Sequence, residues 1–313
     1  MFGTVRAMSL PALRIHPFGS ELVVQTQSDQ VIAAVQRGLG RYPEGLAIGG
    51  SLHLNVSVHE AGAGDPGWPV VAADINAEQL TVRCGTSHAV VNFASGIGEI
   101  SLAESLLPID DAVRLFVESA FTSMHVHHER LVAVHSALVS RNGIGLMLRG
   151  PSGAGKSTLT YSCLRRGMGI TSDDWLYAAV QQSAGVFAGY PWRMLMTQDA
   201  AARFDEIRDI EPVPHTSEEG CKIAIYPPES QQVALQEVHA VVLLDPDTEF
   251  SLAPVSQSEA TERFWAASLP TEREHISSQW ADGLLDRPTY VLRRGLSPLA
   301  AAEALDDLAA SLR

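Results

Sequence analysis

The sequence has few cysteines and no long apolar run. Its 313 residues include three cysteines, Cys84, Cys163 and Cys221, which are far apart and form no C-x-x-C pair. Neither a zinc site built on such pairs nor a disulfide framework is therefore expected, and a reducing compartment suits this content. No stretch approaches the roughly 20 apolar residues of a membrane-spanning helix, and the N-terminus lacks the apolar segment of a signal peptide. We expect a cytoplasmic protein with no membrane partner.

Positive charge is also scarce. The chain has 22 basic and 36 acidic residues, which gives a formal net charge of −14. An acidic surface repels phosphate backbones, so we expect no nucleic-acid partner. The 46% hydrophobic content is ordinary for a globular protein, and the length favours about two domains.

The first hundred residues predict a smaller α+β domain. Short segments such as "LHLNVSVHE" and "LTVRCG" alternate apolar and polar residues, as strands of a mixed or antiparallel sheet do. The segment 28–42 interrupts them with a helical pattern that Ser28 would cap. We assign residues 1–108 to an accessory or substrate-recognition domain and residues 109–313 to a catalytic domain.

The second part predicts alternating strands and helices. A helix follows "PIDD", and a hairpin that turns at Asn142-Gly143 leads into a glycine-rich loop and a helix ending near Gly167. Further along we expect a hairpin turning at 183–185, a mobile polar loop over 198–221, and a buried strand that ends at Asp245. A closing helix capped by Ser297 completes the α/β pattern.

The glycine-rich loop reads "RGPSGAGKST" and matches the phosphate-binding pattern G-x-x-x-x-G-K-[ST] in full. Its glycines let successive N–H groups point at anionic oxygens, and the following helix adds its positive end. Lysine at this position reaches the terminal phosphates, and the serine hydroxyl is a ligand for Mg²⁺. The predicted nucleotide-binding residues are Gly150, Ser152, Gly153, Ala154, Gly155, Lys156, Ser157 and Thr158.

Phosphoryl transfer also needs carboxylates, and the chain offers two candidates. The pair Asp173-Asp174 follows the loop helix closely, and Asp245 ends the strand "HAVVLLD" in the manner of a Walker B strand. The alternative for the pair is a solvated turn, and the alternative for Asp245 is a strand cap. The position after a strand returning from the loop helix favours a functional role for the pair.

These motifs together resemble the catalytic domain of the HPr kinase/phosphorylase family. That family has a histidine opening the strand before the loop, a glycine-rich loop, a "(K/R)RG" at the helix end and an Asp-Asp pair. Here His135 stands 21 residues before Lys156 and Asp173 stands 17 after it, and both offsets match the family's spacing. The similarity is good over residues 125 to 180.

The resemblance implies a phosphoenolpyruvate-carboxykinase-like α/β fold with ATP and Mg²⁺ as cofactors, and a homo-oligomer. It implies that Asp174 is the general base for an acceptor serine and that Asp173 and Ser157 bind the metal. It also places His135 against these carboxylates, with Lys156 on the phosphates. Without the family's spacing, His135 would be interpreted as a buried strand histidine.

The chain departs from the family after the Asp pair. The family's "E-I-R-G-x-G" signature is absent, and the region reads "GYPWRMLMT", where Arg193 is the candidate for the positive charge. The sequence is closer to divergent HPr-kinase-related serine kinases, some of which phosphorylate precursor peptides, including lasso peptides. In these relatives a lysine follows a polar loop, as Lys222 does here, which would contact the transferred phosphate; a strand-entry lysine is its alternative interpretation.

We therefore expect an ATP- and Mg²⁺-dependent kinase acting on a serine of a peptide or protein. A nucleotide-sensing module, a small-molecule kinase and a true HPr kinase are the alternatives. The "HVHH" cluster of His125, His127 and His128 invites a metal site, but only Glu129 stands nearby as a further ligand, so a structural role is favoured.

Overall fold

A computed structural model describes residues 11–62, 72–181, 185–214, 221–247, 249–295 and 297–312. The chain divides into two compact units. The first comprises residues up to 44 and 49–128, and the second comprises 45–48 and 129–313. None of the described helices is both long and apolar enough to cross a bilayer.

The first unit is a seven-stranded sheet with two helices, within the described residues. Strand order is β1-β2-β3-β7-β6-β5-β4. The sheet is mixed, because the pairs β2–β3 and β3–β7 are parallel and the others antiparallel. The elements are β1 (Ala12–Ile15), β2 (Glu21–Gln25), α1 (Asp29–Arg37), β3 (Ser51–His59), β4 (Ala72–Ile75), β5 (Gln79–Cys84), β6 (Ser87–Asn92), β7 (Ile97–Ala103) and α2 (Asp110–His127).

Helix α2 belongs to the first unit, so the division falls at 128/129 and not at 108/109 as expected from the sequence. The reason is packing: Phe116 and Phe121 of α2 are fully buried, and the ring of Phe121 lies 6.1 Å from that of Phe18. His125 bonds to Ser20, with 2.9 Å between Nε2 and Oγ, in the same core. A composition shift marks the start of the helix, whereas packing decides which unit holds it.

The second unit is built around a larger mixed sheet, in which the described strands follow the order β11-β9-β10-β17-β13-β12-β8, with β19 beside β17 and β18 beside β19. The described strands β14, β16 and β15 pair in a separate three-stranded sheet, in the order β14-β16-β15. The strands are β8 (Leu131–His135), β9 (Ala137–Arg141), β10 (Ile144–Arg149), β11 (Gly169–Ser172), β12 (Trp175–Ala179), β13 (Val186–Ala188), β14 (Met194–Met196), β15 (Val213–Pro214), β16 (Cys221–Ile225), β17 (Leu235–Asp245), β18 (Phe250–Pro254) and β19 (Thr289–Arg294). The helices are α3 (Lys156–Arg165), α4 (Gln198–Ala201), α5 (Gln257–Ala266), α6 (Pro270–His275), α7 (Ser278–Leu285) and α8 (Pro298–Ser311).

Alternation along the central strands sends side chains into two separate cores. Met147 of β10 packs in a core with residues of α5 and α7, whereas its neighbours Leu146 and Leu148 pack in a core with α3 and α8. Adjacent residues of a strand point to opposite faces, which explains this division. A helix-covered, mixed α/β sheet results, as the sequence predicted; the phosphoenolpyruvate-carboxykinase-like assignment stays a prediction.

Several local predictions are confirmed. Asn142 and Gly143, with φ of 51° and 87°, form the turn between β9 and β10, as a two-residue hairpin requires. Ser28 and Ser297 accept the capping N–H bonds of α1 and α8. Gly167 ends α3 with a φ of 78°.

Other local predictions change. The apolar run before Asn142 is two strands, because the chain turns at Ser136 and β8 pairs with β12 while β9 pairs with β10. The expected mobile loop over 198–221 contains α4, a series of turns and β15, and its residues 215–220 lie outside the described residues. The expected hairpin at 183–185 joins β12 to β13, but its tip at 182–184 also lies outside them.

Candidate functional site

The glycine-rich loop of residues 150–155, called the phosphate loop below for the sequence pattern it matches, connects β10 to α3 at the carboxyl end of the central sheet. Strand β10 lies parallel to β17, and Arg149, the last residue of β10, is opposite Leu243. The loop makes a tight turn in which Ala154 N–H donates to the Pro151 carbonyl oxygen at 3.1 Å. Because α3 begins at Lys156, the loop residues and the first N–H groups of the helix face the same space.

Glycine is required in the loop for two different reasons. Gly153 and Gly155 adopt φ of 80° and 92°, which side-chain-bearing residues rarely do. At Gly150 the constraint is space, since a Cβ there would lie 3.0 Å from the Ala154 Cβ and 3.1 Å from the Leu244 Cβ. The glycine spacing thus reflects the backbone shape of the loop.

Lys156 is 6% exposed and turns back over the loop. Its Nζ donates to the carbonyl oxygens of Gly150 at 2.9 Å and Pro151 at 3.4 Å. Burial lowers the pKa of Lys156 to about 8, and the charge of Arg149 adds to this, against the opposing effects of the nearby carboxylates. The buried ammonium group is therefore poised to gain from a phosphate ligand.

Asp173 and Asp174 form the bend between β11 and β12 and have contrasting surroundings. Asp173 is 7% exposed, and its Oδ2 accepts from the Leu195 N–H at 3.3 Å. Burial, with the added repulsion of Asp174, raises the pKa of Asp173 to about 7, although hydrogen bonds including one from the Ser157 hydroxyl act against the rise. This carboxyl group is thus held against the loop serine.

Asp174 is the accessible carboxylate, with 65% of its side chain exposed, and it pairs with His135. His135 Nε2 lies 3.2 Å from Asp174 Oδ1. Strand pairing produces this contact, because His135 ends β8 opposite Trp175, the residue after Asp174. Desolvation acts to raise the pKa of Asp174, but the His135 hydrogen bond and the charges of His135, Lys156 and Lys222 outweigh it and lower that pKa. Asp174 is therefore ionised at neutral pH.

A buried ion pair beneath the loop was missed by the sequence reasoning. The side chains of Arg149 and Glu272 are 0% and 1% exposed, and Arg149 Nη1 lies 2.9 Å from Glu272 Oε1. Glu272 Oε1 also accepts the backbone N–H of His135 at 3.0 Å. Its Oε2 accepts the Leu269 N–H at 2.7 Å, which caps α6. One carboxylate therefore joins the residue before the loop to the backbone of His135.

The network around Arg149 satisfies its guanidinium on every side. Nη2 donates to Ser268 Oγ at 2.6 Å, Nη1 to Ser136 Oγ at 3.2 Å and Nε to the Phe264 carbonyl oxygen at 3.3 Å. The Phe264 ring packs 3.9 Å below the guanidinium carbon. No sequence motif indicates this partnership, because Arg149 and Glu272 are more than a hundred residues apart.

The three remaining candidate residues, Lys222, Arg193 and Asp245, lie in or beside three different strands. Lys222, in β16, is near enough for its charge to lower the pKa of Asp174. Arg193 directly precedes β14, the strand whose Leu195 contacts Asp173. Asp245 ends β17 and pairs with Arg263 at 3.2 Å. Because β17 and β11 lie on opposite sides of β10, Asp245 is on the other side of the loop from the Asp pair. The chain has only two lysines among its 22 basic residues, Lys156 and Lys222. This scarcity of lysine is a sequence signal that could have linked Lys222 to the site of Lys156.

The donor set suits a nucleotide with Mg²⁺, judged by its chemistry. Among the described residues, no group of three or more His, Cys, Asp or Glu side chains is spaced to hold a metal ion. Mg²⁺ bound with a nucleotide commonly takes only one or two protein oxygens and completes its shell with phosphates and water. The Ser157 hydroxyl and the Asp173 carboxyl, which hydrogen-bond each other, offer such a pair.

The three histidines at the end of α2, His125, His127 and His128, do not form a set of metal ligands. His128 Nε2 lies 2.8 Å from the Phe93 carbonyl oxygen, and the ring of His127 stacks on that of Phe93 at 4.3 Å. The structural role favoured from the sequence accounts for these contacts.

Replacing Asp173 by Asn is expected to stabilise the second unit at alkaline pH. A carboxyl pKa raised from 3.8 to about 7 means that the ionised form is disfavoured in the folded state. The wild-type protein therefore loses stability as the pH rises from about 4 to 7, whereas the Asn variant does not. We expect the variant to be more stable by about 2–4 kcal/mol at pH 8, with the difference shrinking toward pH 4.

Urea unfolding followed by tryptophan fluorescence measures this difference, since Trp175, Trp192, Trp265 and Trp280 lie in the second unit. Asp307→Asn, at an exposed position of α8, is the matched control and should show no such pH dependence. A stability difference that is the same at pH 5 and pH 8 would contradict the raised pKa.

No protein-family model and no curated protein matches the sequence. Among solved structures, the chain is similar to the "Structure of the Hpr(Ser) kinase/phosphatase from Coxiella burnetii", with a TM-score of 0.30 and 13% sequence identity. The similarity covers 57% of this chain and 97% of that chain.

Proposed function

We propose that the protein is an ATP- and Mg²⁺-dependent kinase that transfers the γ-phosphoryl group to a serine hydroxyl of a peptide or protein. The observation that carries the proposal is the 3.2 Å contact between His135 and the ionised Asp174, beside the phosphate loop. A loop that only held a nucleotide would need neither group. The charge of Asp174 acts on Lys156, the residue that would contact the phosphates.

The chemistry follows from these positions. Asp174 accepts the proton of the serine hydroxyl as its oxygen forms the bond to the γ-phosphorus, and the bond to the β–γ bridging oxygen breaks to release ADP. His135 orients Asp174 through the Nε2–Oδ1 contact. Lys156 and the loop N–H groups neutralise charge on the phosphates; Ser157 and Asp173 would hold Mg²⁺, which would supply further positive charge.

The exposure of the carboxylate supports a macromolecular acceptor. Asp174 is 65% exposed at its side chain, while Asp173 beside it is buried. An open base is accessible to a serine presented on a peptide or protein surface, whereas a metabolite kinase encloses its small substrate. The resemblance to serine kinases of the HPr-kinase type, including those acting on precursor peptides such as lasso peptides, points in the same direction.

The test is to incubate the protein with γ-labelled ATP and Mg²⁺ together with size-fractionated extract of its source cells. Label recovered as phosphoserine on a peptide or protein is the expected result. Label on a metabolite would replace the proposal by small-molecule phosphorylation. Measurable ATP binding without label in any fraction would indicate a nucleotide sensor and contradict the kinase proposal. Omitting Mg²⁺ is the control for metal dependence.

Replacing Lys156 by Ala should weaken ATP binding itself. The variant loses a charge-assisted contact to the phosphates, worth about 1.5–3 kcal/mol, which corresponds to roughly a 10- to 150-fold higher Kd. Calorimetric titration with ATP and Mg²⁺ measures the change. Arg208→Ala is the control, because Arg208 is a solvent-exposed basic residue that pairs with Asp205. Unchanged affinity in Lys156→Ala would remove the loop from the proposed function.

A further inference from the structure

A cavity lies beside the phosphate loop, on the side away from the Asp pair. It has a volume of about 200 Å³ and is lined by the first loop residues together with the end of β17 and the end of α5. Its lining includes Pro151, Leu244, Asp245, Arg263, Ala266 and Ala267. Nothing in the proposed transfer step uses this cavity.

The position of the cavity relative to the loop follows from strand order. Asp173 follows β11, which lies two strands from β10 on one side, and Asp245 ends β17, the neighbour of β10 on the other side. The loop after β10 therefore lies between the carboxylates and the cavity. A nucleotide whose phosphates occupy the loop, with its terminal phosphate toward Asp174, would have its nucleoside on the cavity side.

The walls of the cavity combine apolar surface with a fixed guanidinium. Arg263 is held by two carboxylates, since its Nε donates to Glu259 Oε1 at 2.9 Å and its Nη1 to Asp245 Oδ2 at 3.2 Å. A guanidinium restrained in this way presents a flat face on which an aromatic ring can stack. The Pro151, Ala266 and Ala267 side chains add apolar contact.

Among the described residues, the contacts of Asp245 at the cavity all use one of its two carboxylate oxygens. Asp245 directs Oδ2 at Arg263 and, at 3.9 Å, at Arg293. Among the described residues no partner engages its Oδ1, which is the oxygen left to accept an N–H donor. Because the arginines and carboxylates balance one another, a neutral ligand suits the cavity better than an anion does.

The size of the cavity further restricts the kind of ligand that it can hold. Pockets for drug-sized molecules span roughly 300–1,000 Å³, so a cavity of about 200 Å³ suits a flat ring system. A nucleobase has the required features: an aromatic face, an N–H edge and no charge. We propose that this cavity is the nucleobase subsite for the donor nucleotide, with Arg263 stacking on the base and Asp245 accepting an N–H from its edge. This inference rests on the proposed function.

The test compares ATP with inorganic tripolyphosphate, which carries the phosphate chain without a base. Ala267→Trp fills the cavity, and Arg263→Leu removes the guanidinium while keeping bulk. Ala310→Trp, at an exposed position of α8, is the matched control for adding an indole. Kd values for both ligands, with Mg²⁺, are measured by calorimetry on the full chain.

We expect Ala267→Trp to weaken ATP binding at least about tenfold, since a stacked base contributes affinity of that order. Arg263→Leu should weaken it about three- to tenfold. Tripolyphosphate affinity should stay within about twofold in both, and Ala310→Trp should match the wild type. If Ala267→Trp does not fold, Arg263→Leu decides the question.

Equal losses for ATP and tripolyphosphate would overturn the subsite, and so would unchanged ATP binding in the variants. Wild-type protein that binds tripolyphosphate as tightly as ATP would also overturn it but would leave the phosphate loop in place. Failure to bind either ligand would overturn the proposed function along with the subsite.

Discussion

Replacing Asp174 by Asn is expected to lower the rate of phosphoryl transfer by about 10²–10⁴-fold, the usual contribution of a positioned general base. The pKa of Asp174 lies below its ordinary value because the His135 contact and the surrounding positive charges outweigh desolvation. The carboxylate is therefore ready to accept a proton at neutral pH. An Asn side chain has nearly the same shape but cannot take the proton.

Nucleotide affinity should not fall in the same variant. A carboxylate near the terminal phosphate repels it, so its removal leaves ATP binding unchanged or a few-fold tighter. The two readouts are the single-turnover rate with labelled ATP and the calorimetric Kd for ATP. Asp282→Asn, at an exposed position of α7, controls for the loss of one carboxylate in the same unit. Transfer that survives in Asp174→Asn would assign the base elsewhere.

The parts of the site that the sequence predicted are those set by neighbours along the chain. Gly153 and Gly155 need positive φ, and the strand before Gly150 and the helix after it are short-range features. The Asp pair was placed near the loop because β11 returns directly from α3. Such features depend on a few tens of residues, so spacing alone contains most of the information.

Contacts between residues far apart along the chain could not be predicted from the sequence. The break at Ser136 cannot be seen in a continuous apolar run, yet it sends β8 to β12 and so brings His135 opposite Trp175. Helix α2 was assigned to the wrong side of the division because its pattern does not say which sheet it covers. An isolated arginine in an apolar strand and a glutamate in a polar segment do not indicate that they pair.

Breaking that pair should be the most destabilising of the substitutions considered. Replacing Glu272 by Gln keeps one acceptor oxygen, enough for the N–H group of either His135 or Leu269, and leaves the buried Arg149 charge without its counterion. Removing one partner of a buried ion pair typically costs about 3–5 kcal/mol. We expect a loss near that size for Glu272→Gln, measured by urea unfolding with tryptophan fluorescence.

The second substitution separates the charge effect from general disruption of packing. Arg149→Met removes the stranded charge and keeps an apolar chain over the Phe264 ring, so the double variant Arg149→Met/Glu272→Gln should be more stable than the sum of the single losses predicts. A coupling energy of about 1–3 kcal/mol is expected. Glu303→Gln, at an exposed position of α8, should leave stability within about 0.5 kcal/mol. Strictly additive losses would show that the two side chains stabilise the unit independently. In that case the Glu272 carboxylate would act through the backbone of His135 and the cap of α6 rather than through the arginine that precedes the phosphate loop.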